Sequence, residues 1–422
     1  MATIAEGNHT SIASAPPLKR TEFFADPSLE FLTRAMLGRI NAGAADAGEV
    51  LTTIERIPDG DLPAWVREWE ATANRVGAIG DDCLARGHRI SARDALLRAA
   101  SYYAACVQVV DGCDDPDAVL ARTFHAHRLR YGQYLDLLDV VPERLEIPYE
   151  HTTLPGLFFP AAPARGGRGN DRHRTLVINN GADGSWNTLF PGHGSQAVAR
   201  GYNVAIFDGP GQQSMLFDRG IPFRPDWEHV VSPLVDLLLQ RPDVDPDRLV
   251  LYGVSQGGYW VPRTLAFEHR FAVAAADGGV VDVGETWRAH LPVEATDLLD
   301  AGEREEFNAL LDLAPPAQRR VLTWRAKPYG KPTLYDTFVE AQRYRVTPEL
   351  AAQITTPMLI ADPDEEQFFP GQPQRLYDML LGAKRIVHFA ASEGASGHCQ
   401  PMARALAAQR FFDFFDDELG PA

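Results

Sequence analysis

Apolar residues in the first third of the chain recur at helical intervals. Between Leu29 and Leu37 they fall three and four apart, the spacing of one helix face. Asp61-Leu62-Pro63 opens a further helix, with proline in its first turn. Ser91 and Asp94 form a capping-box-like start for an Ala-rich helix over Ala92 to Val110. Asp115-Pro116 reads as an N-cap followed by proline at the first helical position. The stretch from Ser28 to Leu137 is therefore predicted all-helical, without an internal repeat.

At Val141 the period changes. Arg144 to Tyr149 and Thr153 to Phe159 read as two short strands joined by a turn, followed by a polar loop at 166–171. Short apolar runs follow at Leu176–Ile178, Val204–Phe207, Leu249–Tyr252, Phe271–Ala276, Met358–Ala361 and Arg385–Phe389. Helix-length segments such as Trp227 to Gln240 separate most of them. Strands alternating with helices imply a largely parallel sheet covered on both faces. The interval from Glu285 to Gln353 breaks the alternation with helix-like pieces, Ala295 to Leu313 and Leu334 to Tyr344. The expected organisation is a disordered tail (1–20), a helical N-terminal cap domain (21–140) and an α/β catalytic domain (141–422), with an insertion at about 285–353 over the strand ends.

In such a sheet ligands sit outside the carboxyl ends of the strands, so the polar residues after each strand carry the chemistry. After Leu249–Tyr252 stands Gly253-Val254-Ser255-Gln256-Gly257, a G-x-S-x-G match between a strand and a helix. That context makes a nucleophile elbow, a strained turn that holds a serine hydroxyl clear of the sheet. The helix N-terminus behind it favours an oxyanion, with the Gln256 amide as one donor. After Leu176–Ile178 the Gly-containing loop Asn179 to Gly184 supplies a second donor at Ala182. Asp183 in that loop is either a solvated turn aspartate or a group that positions a substrate hydroxyl or acts as an acid. Asp208-Gly209-Pro210-Gly211-Gln212-Gln213-Ser214 lacks a phosphate-loop Lys-Ser/Thr ending and reads as a turn or cleft wall.

The run Asp362-Pro363-Asp364-Glu365-Glu366 follows the next-to-last strand. Phe368-Phe369-Pro370 turns the chain back inward, which brings Glu366 or Asp364 toward the cleft as the acid that orients a histidine. His398 lies in a Gly-containing loop after the last strand, completing the order serine, acid, histidine. Its neighbour Cys399 has no strained turn of its own and is not read as the nucleophile.

Composition narrows the class. With 45% hydrophobic and 23% charged residues the chain is an ordinary globular protein, and 422 residues exceed one small core. A net charge of −17 argues against nucleic acid or an anionic membrane as partner. The first twenty residues lack the apolar core of a signal peptide, and the four cysteines form no disulfide or metal pattern, so a reducing cytoplasm is expected.

The elbow resembles that of the α/β-hydrolases. Asp208-Gly209-Pro210-Gly211-Gln212, Gly253 to Gly258 and Gly397-His398-Cys399 resemble a narrower branch, which holds the 2,6-dihydroxypseudooxynicotine hydrolase, the fermentation-respiration-switch esterase-like proteins and fungal polyketide-shortening hydrolases. The resemblance implies an α/β-hydrolase fold under an all-helical N-terminal segment, and for some members cleavage of a carbon–carbon bond next to a ketone. It also implies an acidic residue after the oxyanion loop, where this chain has Asp183 in place of glutamate. The branch's usual Gly-x-x-Asp is missing at the acid loop, and spacing to the following proline favours Glu366. The expected function is a serine hydrolase of a small-molecule ester or ketone, using Ser255, His398 and Glu366 (or Asp364) with no metal or organic cofactor. The oligomeric state, monomer or homodimer, stays open. A catalytically silent binding protein and an acyl transferase are the competing readings.

Overall fold

The computed structural model describes residues 22–161 and 172–420, so the expected tail at 1–20 and the polar loop at 166–171 lie outside the described residues. The strands are β1 (Glu143–Tyr149), β2 (Thr152–Phe159), β3 (His173–Asn179), β4 (Asn203–Phe207), β5 (Val244–Val254), β6 (Phe271–Asp277), β7 (Met358–Pro363) and β8 (Lys384–Phe389). They form one sheet in the order β1-β2-β4-β3-β5-β6-β7-β8. The β1–β2 and β2–β4 pairs are antiparallel and all the others parallel. Register sets the height of the site: Gly253 lies opposite Asn179 and Ala276, and Val254 opposite Asp277. The ends of β3, β5 and β6 therefore open onto one edge.

Alternation along the strands divides the core in two. Val177, Ala205, Leu251, Ala276 and Ile360 face the helices 228–238, 257–265 and 372–379. Leu176, Ile206, Val250, Tyr252 and Leu359 face the other way and share a core with the C-terminal helix and two N-terminal helices. Helical cover on both faces explains why the strands read as continuous apolar runs.

The N-terminal helices are α1 (Pro27–Gly38), α2 (Ala47–Ile54), α3 (Leu62–Ala85), α4 (Arg89–Val107) and α5 (Pro116–Leu135). Asp26, Asp46, Asp61 and Asp115 cap their helices by accepting backbone N–H groups. One start differs from expectation. The long Ala-rich helix begins at Arg89, not after Ser91, and no side chain caps it. Gly87, at φ +81°, turns the chain between α3 and α4, so the helix is already under way at Ser91. Small residues along α4 (Ala92, Ala99, Ala100) let it pack against its neighbours and the sheet. Within the insertion, Gly302 at φ +80° splits the expected piece from Ala295 to Leu313 into helices 293–301 and 304–312. Phe307, Leu311 and Phe338 give this region a small core of its own. It meets the N-terminal helices through Phe217, which contacts both Phe124 and Trp324. No helix among the described residues is long and apolar enough to cross a membrane.

Because Leu96, Leu97, Tyr131 and Leu135 share a core with the sheet, the helical layer is expected to be inseparable from it. Re-exposing each such contact costs about 1.5–3 kcal/mol, so a few exhaust a typical domain stability of ~5–15 kcal/mol. A protein beginning at Val140 should aggregate on size-exclusion chromatography. A soluble monomer with native circular dichroism and unchanged kinetics would show that the helices are an accessory layer.

Candidate active site

The turn after β5 places Ser255 at φ +59°, a left-handed conformation that a non-glycine residue rarely adopts. Two backbone hydrogen bonds hold it. Ser255 N–H donates to Asp277 O at 2.8 Å, and Ser255 O accepts from Gly258 N–H at 2.7 Å. Glycines permit the tightness: a Cβ on Gly253 would lie 2.3 Å from Gly257 O, and one on Gly181 would lie 2.7 Å from Ser255 Cβ. The loop after β3 thus touches the serine side chain, with Ala182 following directly.

His398 Nε2 lies 2.7 Å from Ser255 Oγ. Its Nδ1 lies 2.8 and 2.9 Å from the two oxygens of Glu366. Both side chains are about 5% exposed or less. Glu366 Oε1 also accepts from the amides of Phe368 (2.9 Å) and Phe369 (3.2 Å), which fixes its orientation. A turn through Glu365 at φ +59° swings Glu366 inward. Asp364, the alternative acid, is elsewhere. Its carboxylate accepts from Ala391 N–H at 2.7 Å and pairs with His388 at 3.2 Å on the β8 side. What Asp364 gives the site is a backbone carbonyl, which accepts from Gly397 N–H at 2.7 Å and steadies the histidine loop.

Burial works against charge on both partners, yet each favours the charged form of the other. Desolvation raises Glu366, but His398 and the two amides outweigh it and leave the carboxyl below its usual range. Desolvation likewise lowers His398, and Cys399 and Glu366 beside it outweigh that and hold the imidazole well above its ordinary value. Burial and the Asp277 carboxylate push the Cys399 thiol up, against the pull of His398.

Asp183 is exposed and lines a small pocket beside Ala182, Trp324 and Lys327, and its carboxylate makes no hydrogen bond or ion pair among the described residues. Protein surrounds it on its other sides, which raises its pKa, while the nearby charges of Arg325 and His398 pull it back. The cleft is roofed from two directions. Phe31 of α1 packs edge-on against Phe368 (5.5 Å), which packs against His398 (4.8 Å). Arg325 of the insertion lies over the Phe368 ring at 5.0 Å. No group of three or more His, Cys, Asp or Glu among the described residues is gathered to hold a metal ion.

Two contributors escaped the sequence reading. Asp277 is fully buried and its carboxylate accepts from Tyr252 Oη (2.9 Å) and Gln400 Nε2 (3.0 Å). Its carbonyl accepts from Ser255 N–H and from the Cys399 thiol (3.4 Å), so one residue fastens the serine turn to the histidine loop. Burial raises its pKa, against Arg404, Gln400, Tyr252 and His398. The signal was available, because Asp277 directly follows the apolar run Phe271–Ala276. Phe31 gave no signal: on its helix it is one apolar residue among several.

Residues 192–421 match the prolyl oligopeptidase family, peptidase S9. Among curated relatives, hydrolase acrC of Aspergillus aculeatus is 32% identical over 284 residues, 64% of this chain and 66% of the relative. Hydrolase LUC6 of a Fusarium species is 28% identical over 410 residues, 93% of this chain and 96% of the relative. The 20-hydroxy-prefusarin hydrolase FUS2 of Gibberella moniliformis is 32% identical, over 64% of each chain. The chain thus spans about two thirds of acrC and FUS2 and nearly all of LUC6. The 2,6-dihydroxy-pseudo-oxynicotine hydrolase structure superposes with a TM-score of 0.68 at 20% identity, over 90% of this chain and 95% of that one, which establishes the shared α/β-hydrolase fold including the helical layer. With the family match extending over more than half of its residues, the chain is a hydrolase that belongs to the prolyl oligopeptidase family of serine hydrolases.

Proposed function

We propose that the protein hydrolyses a small-molecule carbonyl compound, an ester or a carbon–carbon bond next to a ketone, with Ser255 as nucleophile. The observation that carries this is the unbroken contact from Ser255 Oγ through the His398 ring to Glu366, at 2.7 and 2.8 Å. His398 Nε2 takes the serine proton as Oγ attacks the carbonyl carbon. Glu366 stabilises the imidazolium and keeps Nδ1 protonated. The amides of Gln256 and Ala182 receive the oxyanion. Collapse returns the proton from His398 to the leaving group, and water then releases the acyl group by the same route. A silent binding protein would have been favoured by an acid loop out of reach of His398, and the Glu366 contact counts against it.

The carbon–carbon reading draws on Asp183. A departing carbanion needs a proton delivered to carbon, and an exposed carboxyl near His398 with a raised pKa is suited to relay one. It gives its own proton and recovers that of His398, leaving His398 free to activate water. One curated relative, the 20-hydroxy-prefusarin hydrolase FUS2, carries a small-molecule substrate in its name, which supports a substrate of that size here.

Ser255→Ala should abolish turnover and labelling by a fluorophosphonate probe while leaving circular dichroism unchanged; equal labelling of both proteins would refute the assignment. Glu366→Gln should lower kcat by roughly 10⁴, the loss seen when a triad acid is neutralised, and Asp364→Asn by less than about tenfold. The opposite ranking would move the role to Asp364. Since Glu366 holds His398 protonated, the base form emerges only at higher pH, and kcat/KM should rise along a limb centred above 6.5. Glu366→Gln should shift that limb to lower pH; an unmoved limb would separate Glu366 from the titrating group. Asp183→Asn should slow β-diketone cleavage by about 10²-fold, within the range for a general acid, and ester cleavage by far less. Equal losses on both substrate types would remove Asp183 from the proton transfer.

A further inference from the structure

We propose that Gln212 and Gln213, in the turn after β4, are positioning residues that aim the oxyanion-binding amide of Ala182. The proposal rests on the serine-hydrolase reading above.

Gln212 is completely buried. Its Nε2 donates to two carbonyls of the loop after β3, Asn180 O and Gly181 O, both at 3.0 Å. Its Oε1 accepts from Gly209 N–H at 2.8 Å. Only this amide orientation works, because a flip would set Oε1 against two carbonyl oxygens and Nε2 against an N–H. Gln213 Nε2 donates to Asp183 O at 3.2 Å. From within the loop, Asn180 Nδ2 takes Gly184 O at 2.6 Å. Side-chain amides thus hold the carbonyls of Asn180, Gly181, Asp183 and Gly184.

The consequence follows from peptide planarity. In a trans peptide the C=O and the following N–H point in opposite directions. Capturing Gly181 O therefore turns Ala182 N–H away from Gln212. Capturing Asn180 O turns Gly181 N–H away likewise, where Asn180 Oδ1 occupies it at 2.9 Å. Ala182 N–H is left without an acceptor among the described residues, in a loop whose Gly181 packs directly on Ser255. A donor fixed before the reaction costs no reorganisation when the oxyanion forms, which is where such groups gain their effect.

The turn is rigid enough for this task. Asp208 is buried and held by Ser214 Oγ (2.6 Å) and by Arg128 of α5 (3.4 Å). Gly211 N–H donates to Ile221 O at 2.8 Å. Gln213 is kept at φ +35°, an unfavourable value for glutamine of the kind found where the surroundings over-determine a functional segment. Trp227 closes the circuit by donating to Asn179 Oδ1 at 2.6 Å, at the root of the same loop.

Gln212→Met keeps the length of the side chain and removes its donor. Loosening a donor should cost less than the ~10²–10³ seen when one is deleted, so kcat should fall by roughly ten- to a hundredfold with KM nearly unchanged. Affinity for a boronate or trifluoromethyl-ketone analogue of the tetrahedral state should fall by the same factor, and the pH limb should stay where it is in wild type. A merely structural role would lower the melting temperature without that selective loss. Gln213→Leu, which frees only Asp183 O, provides a second variant with a smaller effect of the same pattern should the first not fold. Kinetics and analogue affinity that stay at wild-type values in a folded variant would overturn the proposal. Absence of fluorophosphonate labelling at Ser255 in wild type would instead refute the serine-hydrolase reading beneath it.

Discussion

Ser255 occupies a backbone conformation that costs on the order of 1–3 kcal/mol, and the rest of the site exists to enforce it. The enforcing contact is the hydrogen bond from Ser255 N–H to the carbonyl of Asp277, at the end of the neighbouring strand. That contact depends on the register of β5 and β6, which sets Val254 opposite Asp277. The same aspartate reaches Gln400 and Cys399, themselves at positive φ, in the histidine loop. Two strained segments distant in sequence are thus tied to one rigid strand end, and the Ser255–His398 distance is set by the sheet and not by either loop alone.

Burial gives this arrangement its electrical character. Glu366 and His398 are nearly excluded from water, where an unpaired charge would be costly; paired and hydrogen-bonded, each favours the charged form of the other. Phe31, Phe368 and Phe369 supply the apolar surroundings of the imidazole. One of these comes from the first helix and two from the acid loop. The helical layer is therefore part of the surroundings of the imidazole as well as a cover for the sheet face. Arg128, stacked on Trp186 at 3.8 Å and paired with Asp208, extends that coupling to the turn that holds the loop after β3.

Much of this was legible in the chain. The eight strands fall where apolar runs and the change of period put them, because residues buried on both faces must be apolar whatever their partners are. The serine turn, the histidine loop and the candidate amides follow from their places after strands, and the acid was narrowed to two residues. Helix boundaries were read less well. Ser91 and Asp94 carry a plausible cap sequence, but Gly87 turns the chain earlier and the helix runs through them.

Local sequence determined the elements, their order and which polar loops follow the strand ends, since periodicity, glycine and proline act over a few residues. Only the tertiary structure decided which carboxylate meets His398, because Glu366 and Asp364 are both carboxylates of one loop and differ in the direction a single turn gives them. It alone brought Phe31 to the imidazole, and it placed Gln212 and Asp277 against backbone groups far away in the chain. Those contacts depend on strand register and on the packing of distant elements, which no short stretch of sequence encodes.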